Sequence, residues 1–158
     1  MLEKSKEILK TIAQLKPEES IERERLIDAF LCANYEVGLQ TQLDPILVDS
    51  TEYKQYIDLM VRTIKHKRHW LDLFILKTKN IFAVGFQHDE WIDACKSRSA
   101  IAFLCDMSIG TSLEPFVCSL NVDELEDRMM KVGEREGFLD PERIPKGIPE
   151  SHWWWWYP

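Results

Sequence analysis

The sequence predicts an all-α domain, a bundle of about six helices with an ordered Pro/Trp-rich C-terminal tail, and three observations lead there. Apolar residues recur at i, i+3, i+4 and i+7, with charged residues between them, over most of the chain. Recognisable cap and stop residues bound those runs. The chain is 158 residues long and 45% apolar, with no linker composition and no internal repeat, which suits a single core.

Residues 2–15 set Leu2, Ile8, Leu9, Ile12 and Leu15 on one side, and Pro17 ends that helix. A second helix starts near Ser20, whose hydroxyl can cap its first turn, and carries Ile21, Leu26, Ile27, Phe30, Leu31 and Ala33. It is expected to close near Gly38, since glycine readily takes the left-handed conformation. Residues 39–49, with Asp44 and Pro45, read as a loop. The third helix has Asp49 or Ser50 as cap and Glu52 in its first turn, and Tyr53, Tyr56, Ile57, Met60, Val61 and Ile64 follow the helical spacing. The basic stretch 65–69 either continues that helix or turns.

Residues 70–107 are the most apolar part of the chain and are expected at the centre of the fold, with no solvated face. Periodicity alone does not separate a buried helix from buried strands over 70–84. The Leu, Trp and Lys content favours helix, and an α+β fold with a small sheet from residues 70–86 is the alternative. His88, Asp89 and Glu90 open the next helix, with acids where the helix dipole favours them. Its small residues Ala94, Cys95, Ser99, Ala100 and Ala102 allow a neighbouring element to come close. Residues 110–115 break the chain and 116–120 form a short helical turn. Asn121 caps the last helix with Glu124 as capping-box partner; Leu125, Met129, Met130 and Val132 face inward, and Gly137 stops it. From 138 to 158 proline punctuates a tail expected to pack on the rest, so that 1–158 form one domain.

A formal net charge of −7 argues against nucleic acid as a partner, because phosphate binding is driven by Lys and Arg, and permits a basic protein partner. The N-terminal stretch has no apolar signal region, and no run approaches the roughly 20 residues a membrane span needs. A soluble, cytoplasmic protein is the expectation. Cys32, Cys95, Cys105 and Cys118 form no C-x-x-C pair, so they are expected as four reduced, mostly buried thiols.

There is no nucleophile elbow, phosphate-binding glycine loop or dinucleotide fingerprint, which leans away from catalysis and from any cofactor. The alternative is a small metal-dependent enzyme. His66 and His69 stand at i, i+3, and His88, Asp89 or Glu90 would supply a third ligand. Lys65, Lys67 and Arg68 around the pair oppose a dication, so no metal is expected. Two acidic concentrations stand out instead: Glu18, Glu19, Glu22 and Glu24, then Asp123, Glu124, Glu126 and Asp127. Four consecutive indoles, 153–156, cannot all point inward. Trp153 and Trp155, or their alternates, are expected to plug the core; with the first pair inward, Trp154 and Trp156 face a partner as an aromatic hot spot. The expected partner surface is therefore Glu18, Glu19, Glu22, Asp123, Glu126 and Asp127 with Trp154 and Trp156.

Size, acidity, the lack of a catalytic motif and the ending Pro149-Glu150-Ser151-His152-Trp153-Trp154-Trp155 resemble the small acidic immunity proteins of bacterial toxin systems, including those of contact-dependent growth inhibition. That resemblance implies a cytoplasmic inhibitor that neutralises a basic, nuclease-like toxin by direct binding. It carries over no functional residue.

Overall fold

A computed structural model describes residues 1–16, 20–81, 88–136 and 140–156. Seven α-helices account for most of them, and no strand is present among the described residues. The all-α expectation holds, and the small sheet does not form at 70–81; residues 82–86 lie outside the described residues.

Helix α1 (Leu2–Gln14) buries Leu9 and Ile12 against α2 (Ser20–Leu43) and α3 (Thr51–Ile64). Pro17 is outside the described residues. Helix α2 does not close at Gly38. It runs on to Leu43 because Gly38 is where another helix presses in. A Cβ built there would lie 2.7 Å from Phe103 Cβ and closer still to its ring. Of the stretch 39–49 expected as loop, 39–43 belong to α2 and Pro45–Asp49 form a single 3₁₀ turn. Ser50 then caps α3, its Oγ accepting from Tyr53 N at 3.1 Å. The chain turns at 65–67, and α4 (Arg68–Ile81) follows.

Helix α5 (His88–Ser108) packs most extensively on α2, and this pair is the centre of the molecule. Phe30, Leu31, Phe103 and Leu104 fill the space between them, with Tyr56 and Met60 of α3. Buried Asn34 ties the three helices together: its amide donates to Ala100 O at 3.2 Å, and its carbonyl accepts from Tyr56 Oη at 2.9 Å. The expectation that 70–76 has no solvated face is corrected. Trp70, Leu71 and Ile75 turn inward, but Leu73 and Leu76 stand open to solvent beside Asp72 and Lys77.

After a turn at 109–113, α6 (Glu114–Val117) begins two residues before the expected helical turn, and α7 (Asp123–Glu136) packs on α4. Asn121 makes a side-chain turn, its Oδ1 accepting from Asp123 N at 3.1 Å, while Glu124 pairs with Lys79 of α4 rather than completing a capping box. Gly137 is outside the described residues. Cys105 of α5 and Cys118, just beyond α6, form a disulfide across Cα atoms 5.0 Å apart. This corrects the expectation of four reduced thiols. The turn and the one-turn helix return the chain to α5, a juxtaposition that spacing alone does not disclose. Cys32 and Cys95 remain thiols, the first exposed and the second buried. No described helix is long and apolar enough to cross a membrane.

Candidate functional site

The small-residue face of α5 receives the tail, not only a helix. Residues Trp153–Trp155 form one 3₁₀ turn that lays two indoles onto Ser99. Trp155 Nε1 donates to Ser99 Oγ at 2.9 Å; Trp154 Nε1 reaches the same oxygen at 3.1 Å and Cys95 O at 3.2 Å. An indole N–H can only donate, so the two together occupy both lone pairs of the hydroxyl. Ser99 must therefore donate its own proton, and His152 Nδ1 stands 3.0 Å away to take it. This fixes the imidazole as neutral, with its proton on Nε2. Burial, followed by the nearby Arg98 guanidinium, pushes the His152 pKa down to about 4.

A serine within 3 Å of a histidine is also the geometry of nucleophile and base. Here the hydroxyl is fully buried and its lone pairs are spent, so it serves as a bolt that holds the tail. Arg98 locks the bolt from outside. Its guanidinium lies 4.4 Å from the centre of the Trp154 ring and donates to Glu126 Oε1 of α7 at 2.8 and 2.5 Å. Between α5, the stretch 117–122 and the tail lies a cleft of about 310 Å³, bordered by Ile101, Ala102, Asp106, His152 and Trp153.

The expected partner residues fall in different places. Trp154 is 2% exposed and belongs to the core, which corrects its assignment to an outward face. The alternation failed because the residues form a 3₁₀ turn, about 120° per residue, and not an extended strand. Trp155 is buried as expected and Trp153 partly so, while Trp156 is 44% exposed. Glu126 is half-buried and committed to Arg98, and Glu22 pairs with Arg25. Asp123 and Asp127 are exposed; Glu18 and Glu19 lie outside the described residues. His66 and His69 do not share a helix face, because the turn at 65–67 separates them, and the His88 side chain is outside the described residues. Among the described residues no group of three potential ligands could hold a metal ion.

A surface absent from the expected set is the turn after α2. Over 43–52, Leu43, Ile46 and Val48 are exposed, Ile46 by 79%. Asp44, Asp49 and Glu52 flank them in sequence with no ion pair and no side-chain hydrogen bond among the described residues, and the stretch contains no Lys or Arg. Its sequence signal was three aliphatics between two aspartates after a proline, masked by reading 39–49 as an ordinary loop.

No protein-family model, curated protein or solved structure matches the chain.

Proposed function

We propose that this protein is a binding protein of the immunity type, which neutralises a basic, nuclease-like partner by occupying its surface and not by catalysis. The observation that carries this reading is the 43–52 turn. Exposed aliphatics flanked by carboxylates that are unpaired among the described residues suit a partner with an apolar contact set among lysines and arginines. Ordinary solubility needs the charge but not Ile46 in solvent. Exposed Trp156, Asp123 and Asp127 are further candidates for contact; Glu126 is not, since removing it frees Arg98 and loosens the tail. In this reading the protein works in the cytoplasm. The Cys105–Cys118 bond weighs toward an oxidising compartment, and thiol trapping at cell lysis decides between them.

The test uses the product of the adjacent gene, expected in this reading to be basic, since toxin and inhibitor are commonly encoded together; an acidic product defeats the proposal. Association measured by stopped flow should slow as salt rises, and Asp44→Lys with Asp49→Lys should reduce the low-salt on-rate about tenfold. Ile46→Ala should instead speed dissociation. An on-rate flat with salt, or one untouched by the double reversal, defeats the proposal.

A further inference from the structure

We propose that the cleft between α5 and the tail binds an uncharged peptide-type amide, whose carbonyl accepts from His152 Nε2–H and whose N–H donates to Asp106. This site is independent of the partner surface at 43–52. His152 is 3% exposed, its Nδ1 is taken by Ser99, and its Nε2 makes no hydrogen bond among the described residues. The imidazole borders the cleft. The ring is held in place by Phe103, with centroids 4.8 Å apart, and by Trp154, stacked at 4.9 Å. A preorganised ring whose Nε2–H is unspent thus borders a space of about 310 Å³, the lower end of the range for small-molecule sites.

The other polar groups of the cleft narrow the ligand. Arg98 and Glu126 satisfy each other; of the remaining cleft side chains Ser151 and Asp106 can accept, and Asp106, whose charge reaches the Tyr53 phenol, makes no ion pair or side-chain hydrogen bond among the described residues. His152 and Asp106 border the same cleft, so a ligand that carries both a carbonyl acceptor and an N–H donor can engage the two together. An ammonium ligand would leave the Nε2 proton unmet, and a carboxylate ligand would meet Asp106 and Glu126 as like charges. Ile101, Ala102 and Val117 supply an apolar wall for the rest of the molecule.

The probe is N-acetylalanine N-methylamide, titrated into the full chain carrying ¹⁵N-labelled histidine, with the His152 Nε2 resonance as readout. A saturable shift is expected. The doubly esterified analogue, methyl 2-acetoxypropanoate, in which oxygen replaces both N–H groups, should bind about fivefold more weakly, as should the diamide to Asp106→Ala. Ala102→Leu fills the cleft one turn along α5 from Ser99 and should abolish the shift. Asp106 is exposed, so D106A decides the matter even if the filled variant does not fold. A shift that stays linear with concentration, one equal for amide and ester, or one unchanged in D106A overturns the proposal.

Discussion

One hydroxyl, that of Ser99, organises the tail, and its arithmetic makes His152 sensitive to acid. Protonating Nδ1 would set an N–H against a hydroxyl that has no lone pair left to accept it. The folded pKa of about 4 lies below the ordinary 6.5, so between those values the unfolded chain binds a proton that the folded chain refuses. His152 therefore contributes stability that is complete above about pH 6.5 and is lost as pH falls toward 4, roughly 2–3 kcal/mol by pH 4.5. Arg98, Glu126 and Asp106 border the same cleft, and acid also weakens carboxylate pairs. The measurement is consequently the melting temperature of the protein against that of His152→Gln, whose amide oxygen accepts from Ser99 without titrating. The variant should lose less stability than the parent between pH 7 and 4.5; parallel curves would remove His152 from the account.

At the scale of elements, the close approach of α2 and α5 rests on the missing side chain at Gly38. Alanine ordinarily favours a helix by about 1 kcal/mol over glycine. Gly38→Ala should instead destabilise by about 2 kcal/mol or more, because the added methyl meets the Phe103 side chain in a packed core. Combining it with Phe103→Ala should show strong coupling in a double-mutant cycle; additive changes would mean that the two helices relax apart. The same contact shows what the sequence could and could not disclose. Helix α3 was legible because Ser50 and the spacing of Tyr56, Met60 and Ile64 are local facts. Gly38 was read as a stop because glycine's local preference is for helix ends, and only the arrival of Phe103, 65 positions away in sequence, gives it the other role. The Trp153–Trp155 turn failed for a related reason: burial depended on backbone geometry that Ser99 and Cys95 impose from α5. The acids of α7 were legible as residues, but Arg98's claim on Glu126 was not.

Across the whole molecule, α5 is secured twice on its tail side, by the Ser99 bolt near its middle and by the disulfide at Cys105 nearer its end. The bond closes a stretch 13 positions apart in sequence, for which chain-entropy reasoning gives about 3 kcal/mol. Reduction, or Cys118→Ser, should accordingly lower the melting temperature by several degrees while leaving helical circular dichroism intact at room temperature. An unchanged melting temperature under reductant would mean that packing of Leu113, Val117 and Leu120 holds α6 in place without the bond.

Arg98 has a consequence of another kind. Its cation beside the Trp154 ring, with the His152 imidazole stacked on the same indole, gives that chromophore surroundings that exist only while the tail is seated. The protein therefore carries an intrinsic optical gauge of tail docking. In a mild denaturant series tryptophan emission should shift to longer wavelength before the helical signal falls, a non-coincidence of two probes that would mark undocking as a step of its own. Arg98→Lys, which loses the planar stacked cation, should move the first transition to lower denaturant and leave the second in place.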